Sequence, residues 1–284
     1  MQVMTRRDAS GSDDALHGAN WDKRTLLIKD ARKVELTLQK NGFQLMNDPK
    51  ARHVDYYDED SVISRYYREC EELLLQATGA KLVRAFDHNV RSEVGRSSGR
   101  KLVGGNAVQG PAALVHGDYT AASAPRRLSL LGQAPKLNDP LRSVLGDLPV
   151  LEPGVVDDAL SGRRRFAFIN VWRPIRPVQD KHLACADAAT VRSEDLITFQ
   201  IVYPDRVGEN YFAKWRPRHD WYYYPGMTPD EVLFIKQWDS RGELTDGGDA
   251  GTSTFSLHSA FRDPTAAPDA PDRESIEVRL VAVF

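Results

Sequence analysis

The hydrophobic positions of this 284-residue chain change from a helical to a strand-like spacing along its length. In residues 61–77, SVISRYYRECEELLLQA, apolar side chains fall close to helical spacing with charges between them, and Gly79 follows as a helix terminator. Residues 82–91 alternate between two faces and predict a strand. Residues 26–46 predict a short strand followed by a helix that closes at the Asn-Gly pair 41–42.

The second half of the chain has the pattern of an all-β region. Residues 92–110 are rich in Gly, Ser and Arg and predict a long exposed loop or lid, and residues 121–165 predict one helix near 154–161. From Arg165 onward, short runs of β-branched and aromatic residues alternate with turns that contain Pro, Gly and Asp: FAFINVWRP, LITFQIVYP, NYFAKWRP, WYYYPGM, EVLFIKQWDS, TSTFSLHSAF and SIEVRLVAVF. This spacing predicts an antiparallel sandwich or barrel.

Composition and charge exclude several classes of function. Hydrophobic residues make up 41% and charged residues 27% of the chain, which is typical of a globular protein, and the formal net charge is only -2. That charge provides no general attraction for nucleic acid or a membrane surface. No apolar run is long enough for a transmembrane helix, and no secretory signal is visible. Cys70 and Cys185 are the only cysteines, which predicts a reducing, cytoplasmic location.

His116-Gly117-Asp118 is the motif that carries candidate chemistry. On a strand, residues i and i+2 point to the same face, so this motif offers an imidazole and a carboxylate to one point in space. His258 lies in a second predicted strand, TFSLHSAF, and strands distant in sequence pair across a jelly-roll. Two histidines and one carboxylate form the facial triad of non-haem Fe(II) oxygenases. The alternative for each histidine is a hydrogen-bonded core residue, the interpretation we prefer for His88 on the strand 82–91.

A cation for an anionic co-substrate is the second requirement of such a site. Arginine suits this role because its planar fork binds a carboxylate through two parallel hydrogen bonds. Arg273, Ser275 and Arg279 lie on one face of the last predicted strand, together with Glu277. A polar face of this kind predicts a charged cavity, and the alternative is a solvated edge strand.

Five blocks of this sequence resemble the family of non-haem Fe(II)- and 2-oxoglutarate-dependent oxygenases that includes CmcJ, the AsaB-type hydroxylase/desaturases and the gibberellin GA4 desaturase. The blocks occur in the family's order and span residues 60–284. They are YYRECEELLLQATGAKLVRAFDHNVR, VHGDYT, NVWRPIRPVQDKHLACADAATV, EVLFIKQWDS and LHSAFRDPTAAPDAPDRESIEVRLVAVF. The resemblance implies a double-stranded β-helix, a jelly-roll core that is mainly β with flanking helices.

The resemblance also implies roles for individual residues. It makes His116, Asp118 and His258 the iron ligands, and Arg273 with Ser275 the clamp for 2-oxoglutarate, with Arg279 as the competing candidate. Asn170, Trp172 and Arg173 are expected to line the pocket or support the ligands. In one place the sequence departs from the family, because Lys181-His182 stands where the family has a proline before the leucine. We expect that departure to change a loop without reaching a proposed ligand.

The resulting prediction is one oxygenase domain. It covers residues 21–284, with an α/β part at about 21–110 and a jelly-roll core at about 111–284, preceded by a flexible leader at 1–20. The expected cofactors are Fe(II), 2-oxoglutarate and O₂. The expected partner is a small molecule of specialised metabolism, which the enzyme hydroxylates, desaturates or cyclises after hydrogen abstraction. Neither nucleic acid nor a membrane is an expected partner, and a homodimer is a possible assembly.

Two alternatives remain open from the sequence. The first is an iron-dependent oxidase of the same fold that does not use 2-oxoglutarate, which would need the triad but not the arginine clamp. The second is a non-catalytic β-sandwich binding module, which would hold no stoichiometric metal.

Overall fold

The computed structural model describes residues 3–6, 17–49, 54–136, 139–202 and 207–284, and within them two β-sheets form the body of the protein. The strands are β1 Val3–Arg6, β2 Ile28–Asp30, β3 Phe43–Asn47, β4 Leu82–Arg91, β5 His116–Gly117, β6 Phe166–Pro174, β7 Leu183–Ala186, β8 Leu196–Val202, β9 Val207–Ala213, β10 Trp221–Tyr223, β11 Glu231–Asp239, β12 His258–Ala260 and β13 Ser275–Val283. The helices are α1 Glu59–Ser61, α2 Tyr67–Thr78, α3 Glu93–Ser97, α4 Ser123–Leu131, α5 Arg142–Leu145 and α6 Pro153–Leu160.

Strands that are distant in sequence lie side by side in both sheets. The larger sheet has the order β1-β8-β9-β5-β12-β7-β10-β2, and the smaller sheet has the order β3-β11-β6-β13-β4. All pairs are antiparallel except β1 with β8 and β10 with β2. One hydrophobic cluster draws buried side chains from both sheets, including Phe168 of β6 and Trp221 of β10, so the sheets pack face to face. This arrangement confirms the predicted jelly-roll with flanking helices.

The helix predicted over residues 61–77 is present and covers the outer face of the smaller sheet. A π-helical turn, Val62–Tyr66, joins α1 to α2 without a break, and α2 ends where Gly79 adopts a left-handed conformation with φ of 67°. Buried Tyr66, Cys70 and Leu74 face the core. The strand predicted over residues 82–91 follows as β4.

The helix predicted within residues 26–46 is wrong. A short strand, β2, is present, but it leads into a single 3-10 turn, Ala31–Lys33, and then into an irregular segment with a turn at residues 38–41 before β3. Side-chain oxygens accept the backbone hydrogen bonds here in place of helical carbonyls. The amide of Thr37 donates to Oδ1 of Asn41, and the amide of Leu38 donates to Oε1 of Gln44. Local side-chain acceptors of this kind compete with a helix.

Residues 92–165 contain more helix than the sequence predicts. The predicted helix near 154–161 is α6, but α4 and α5 were not expected, and the 92–110 segment contains α3. Pro125 lies in the first turn of α4, where a proline is tolerated because the amides there have no helical partner.

Two features of composition have structural counterparts. Cys70 and Cys185 are both free and buried, and no helix in the described part of the chain is long and apolar enough to span a membrane. Of the predicted leader, residues 1–2 and 7–16 lie outside the described residues, whereas β1 pairs with β8.

Candidate metal centre

His116, Asp118 and His258 meet at one point between the two sheets. β5 and β12 are adjacent, and His258 is the register partner of His116, so the two imidazole rings lie with their centroids 4.4 Å apart. Asp118 follows β5 directly, and its Oδ1 lies 3.7 Å from Nε2 of His116. One ligand atom from each residue lies within 4.8 Å of the other two. Three side chains distant in sequence can therefore reach the same metal ion.

The hydrogen bonds of the two histidines favour a metal on the same ring nitrogen. Nδ1 of His116 lies 2.7 Å from the carbonyl of Leu114, and Nδ1 of His258 lies 3.2 Å from the carbonyl of Ser256. A carbonyl can only accept, so Nδ1 donates and Nε2 carries the free lone pair. Metal-binding histidines are usually oriented in this way. The donor set, two imidazoles and one carboxylate, fits Fe(II).

Asp118 is held as a carboxylate. Its Oδ2 accepts from Nδ2 of Asn170 at 3.0 Å and lies 3.5 Å from Nε of Arg279, which leaves Oδ1 on the side of the histidines. Burial alone would raise the pKa of Asp118, but Arg279 and the two histidines lower it well below the ordinary value. Burial, followed by the neighbouring His258, lowers the pKa of His116 to about 4. Asp118 and His116 are thus in the protonation states that a metal ion requires.

A small cavity adjoins the histidines. Its lining residues are Arg91, Ala112, His116, Trp172, Leu183, His258, Ala260, Arg273 and Glu277. Arg273 is 3% exposed, and its guanidinium lies 5.6 Å from the ring of Trp172. Burial, followed by the charge of Arg91, lowers the pKa of Arg273 to about 10. The cavity therefore contains a buried cation beside the candidate metal ligands.

The structure separates the two arginines that the sequence offered as a clamp. Nη1 of Arg273 donates to the carbonyl of Lys181 at 2.8 Å, whereas its Nε has no hydrogen-bond partner within the described ranges. Arg279 is surrounded by carboxylates, at 2.8 Å from Asp87 and 3.4 Å from Glu277 in addition to Asp118. Arg273 thus faces the cavity with a free donor, while Arg279 is already paired.

Of the other predicted site residues, Ser275 and Asn170 lie on the side of the site, whereas Arg173 does not. Ser275 is buried, and its Oγ has no partner in the part of the chain that the structure describes. Asn170 contacts Asp118, as expected of a residue that supports a ligand. Arg173 points to the opposite face of β6, where it donates to the hydroxyl of Tyr66 at 2.9 Å and to the carbonyl of Asp48 at 2.8 Å. The structure does not bring Arg173 to the cavity.

His88 is a core residue on that same opposite face of the smaller sheet. Its Nδ1 lies 2.8 Å from the hydroxyl of Tyr67, and the side chain is 4% exposed. The preferred interpretation from the sequence, a hydrogen-bonded core histidine, agrees with this position.

The departure from the family at Lys181 lies beside Arg273. Lys181 has φ of 50°, the one positive value for a non-glycine residue among the described residues. Its carbonyl is the acceptor for Nη1 of Arg273, and its Nζ lies 3.5 Å from Asp272. A left-handed backbone at a lysine costs about 1 kcal/mol. The loop therefore contacts the candidate clamp residue Arg273, a contact that the sequence did not predict.

Two residues of the site were missed in the sequence. Arg91 lines the cavity. From the sequence, the arginines of residues 84–100 were candidates to hold an anionic substrate or to close a lid, and a solvated loop was the preferred interpretation. The sequence indicates which face of the strand Arg91 lies on, because Asp87, Asn89 and Arg91 occupy alternate positions of β4. Gln237 accepts a hydrogen bond of 3.2 Å from the amide of Asp118 through Oε1. That contact joins the two sheets, and no local pattern indicates it.

Known proteins share both the sequence and the fold. A family model described as an oxidoreductase/YMDC permease-like domain matches residues 3–144 and 148–284. The chain belongs to this family. It is 31% identical to the alpha-ketoglutarate-dependent dioxygenase tstK of Talaromyces stipitatus, over 99% of this chain and 92% of that protein. It is also 36% identical to an uncharacterised protein of Methylophilus leisingeri, over 61% of this chain and 82% of that one.

A solved structure extends the similarity to the whole fold. The iron and alpha-ketoglutarate-dependent endoperoxidase NvfI, in one of its conformations, matches 100% of this chain and 91% of its own length with a TM-score of 0.75 and 25% identity. The hydroxylase/desaturase efuI of Hormonema carpetanum is 29% identical over 93% of this chain and 85% of its own. These matches confirm the fold class, the oxidoreductase class and the family that the sequence predicted.

Proposed function

We propose that this chain is an Fe(II)- and 2-oxoglutarate-dependent oxygenase that acts on a small molecule. The observation that carries this proposal is the convergence of His116, Asp118 and His258 beside a cavity that contains a buried arginine. We assign the three side chains as iron ligands, with Nε2 of each histidine and Oδ1 of Asp118 as the donor atoms. The names of tstK and NvfI support the same chemistry.

We assign Arg273 and Ser275 to 2-oxoglutarate. A guanidinium with a free Nε and a hydroxyl without a partner are the donors that a carboxylate requires, and both are buried, so they are poorly solvated in the absence of an anion. Arg279 is less suited to this role because three carboxylates already surround it. Its role in the proposal is to hold Asp118 ionised and in place.

The protein contributes binding, orientation and the exclusion of water. Bound Fe(II), with 2-oxoglutarate and O₂, supplies the oxidising power to remove hydrogen from an unactivated C–H bond. The carbonyls of Leu114 and Ser256 fix the histidine tautomers, and Asn170 fixes the carboxylate. The buried walls, Trp172 and Ala260 among them, keep bulk water from the cavity.

An anaerobic titration tests the proposal. Fe(II) and 2-oxoglutarate should give a weak visible charge-transfer band that saturates at one iron per chain. His116→Ala, Asp118→Ala and His258→Ala should each remove the band and abolish activity while the far-UV circular dichroism stays that of the folded protein. Iron binding without a band would favour an oxidase independent of 2-oxoglutarate. The absence of stoichiometric iron would favour a binding module.

The remaining assignments are proposals of finer detail. The substrate class, a molecule of specialised metabolism, rests on relatives such as the hydroxylase/desaturase efuI. A cytoplasmic location, a homodimer, independence from nucleic acid and membranes, and a single domain over residues 21–284 stay predictions. Light scattering of the purified chain tests the homodimer.

A further inference from the structure

A second arginine shares the cavity with Arg273. Arg91 is the last residue of β4 and the register partner of Ser275 in β13. Its side chain lines the cavity together with His116, His258 and Arg273. Nη1 of Arg91 donates to the carbonyl of Gly110 at 3.0 Å, in the segment that leads to His116. Arg91 therefore joins the cavity of the candidate metal ligands to the first residue of β13.

The order of residues along β13 gives the depth of each arginine. Arg279 lies at the level of Asp118, and Ser275 lies four residues before it. Arg273 is two residues beyond Ser275, which is roughly 7 Å along an extended chain. Because the backbone of Arg91 is level with Ser275, it lies two residues nearer along the strand direction to the level of Asp118 than the backbone of Arg273 does.

Two arginines and one glutamate line the cavity. Arg91 and Arg273 contribute two positive charges, and Glu277 contributes one negative charge that it shares with Arg279 at 3.4 Å. Arg273 is almost fully buried, and the charge of Arg91 adds to burial in disfavouring its protonated form. Two cations at one poorly hydrated cavity repel each other, and a bound dianion would relieve that repulsion.

We propose that Arg91 is a second cationic residue of the 2-oxoglutarate site, a role that rests on the function proposed above. Arg91 contacts the carboxylate at the metal end of the co-substrate, and Arg273 contacts the far carboxylate. Each carboxylate of the dianion then has its own guanidinium. The specificity for a dicarboxylate comes from Arg273, whereas Arg91 contributes to the binding of any 2-oxo acid.

The test compares two co-substrates on the anaerobic Fe(II)-loaded protein. 2-Oxoglutarate and 2-oxopentanoate have the same chain length, but 2-oxopentanoate lacks the far carboxylate. Arg91→Gln should weaken the binding of both acids by about 10-fold or more and keep the preference for 2-oxoglutarate. Arg273→Gln should abolish that preference and leave the affinity for 2-oxopentanoate near that of the wild type. Arg91→Lys should recover part of the loss.

The controls separate this role from a purely structural one. Arg84→Gln, an exposed arginine on the same strand, should leave both affinities unchanged. Wild-type affinity for both acids in Arg91→Gln would overturn the proposal. A lower Fe(II) affinity together with a lower melting temperature would also overturn it, because the weaker binding of the acids would then come from loss of the hydrogen bond to Gly110. A change confined to the KM of the primary substrate would assign Arg91 to that substrate and also overturn it. Failure of the wild type to bind 2-oxoglutarate would instead refute the proposed function.

Discussion

Asn170 donates a hydrogen bond of 3.0 Å from its side-chain amide to Oδ2 of Asp118. Asn170 lies in the centre of β6, where Arg279 is its register partner, so amide and guanidinium reach the same carboxylate oxygen. The other oxygen of Asp118 faces His116 at 3.7 Å. Support of this kind restricts a carboxylate to one orientation, and one oxygen is left for a metal ion.

We predict that Asn170→Ala weakens Fe(II) binding by about 10-fold to 100-fold, because Asp118 loses the donor that fixes its orientation. Anaerobic titration with Fe(II), followed by metal analysis of the dialysed protein, measures the effect. Asn106→Ala, which changes an exposed asparagine in the loop before β5, is the matched control and should bind Fe(II) like the wild type. Equal affinity in both variants would show that Asn170 does not orient the ligand.

The two arginines of the last strand should respond differently to substitution. Arg279→Gln leaves Asp87, Asp118 and Glu277 without their shared cation, so we expect the free energy of unfolding to fall by about 3 kcal/mol. Arg273→Gln should change 2-oxoglutarate affinity much more than stability. Urea unfolding of the metal-free proteins and co-substrate titration together measure both properties. The reverse pattern would make Arg279 the clamp.

Much of the site was predictable from strand periodicity. His116 and Asp118 are two residues apart, and the alternation of β13 places Ser275, Glu277 and Arg279 on one face. The choice between Arg273 and Arg279 was not predictable, because it depends on register. Arg279 is paired only because β4 places Asp87 opposite it. Such partners come from strands that are distant in sequence, and no local pattern specifies them.

The failed helix in residues 26–46 has a similar cause. The local sequence has helix-compatible residues, but Gln44, which accepts from the amide of Leu38, belongs to β3 and is paired with Phe234. Pairing with β11 fixes β3, and the preceding segment then takes its hydrogen bonds from side chains. Tertiary context overrides a weak helical preference in such cases.

We predict that Arg173→Met destabilises the protein without affecting the cavity. Asp48, buried at its side, would lose the cation that neutralises it, and the expected loss is about 3 kcal/mol or more. Unfolding in urea gives the stability, and Fe(II) and 2-oxoglutarate affinities are measured under conditions where the variant is folded. Unchanged affinities would support a structural role for Arg173. A selective loss of 2-oxoglutarate binding would contradict the prediction and show that Arg173 contributes to the site.

The backbone of Lys181 offers a test of how Arg273 is oriented. Glycine adopts a positive φ without strain, whereas a β-branched residue does not, so Lys181→Gly should be more stable than Lys181→Val by about 1–2 kcal/mol. The valine variant should also bind 2-oxoglutarate more weakly, because the carbonyl that accepts from Arg273 would shift. Both variants remove the ion pair with Asp272, so that difference cancels. Equal stability and equal affinity would contradict the prediction.

The pH dependence of stability should carry a contribution from His88. Burial lowers the pKa of His88 from its ordinary value of 6.5, and although Asp87 acts in the opposite direction, Arg279 adds to the lowering. The unfolded chain therefore takes up a proton near pH 6.5 that the folded protein takes up only at lower pH. The stability that His88 contributes is fully present above pH 6.5 and is lost as the pH falls below it.

The variant His88→Gln isolates that contribution. Glutamine does not titrate and can keep a hydrogen bond to Tyr67, so the slope of unfolding free energy against pH between 5 and 6.5 should decrease by up to about 1.4 kcal/mol per pH unit. Urea unfolding of metal-free protein at several pH values measures both slopes. His17→Gln, an exposed histidine, is the control and should keep the slope of the wild type. An unchanged slope in His88→Gln would mean that His88 has the same pKa in the folded and the unfolded protein, which its burial and the unpaired Nε2 in the described structure argue against.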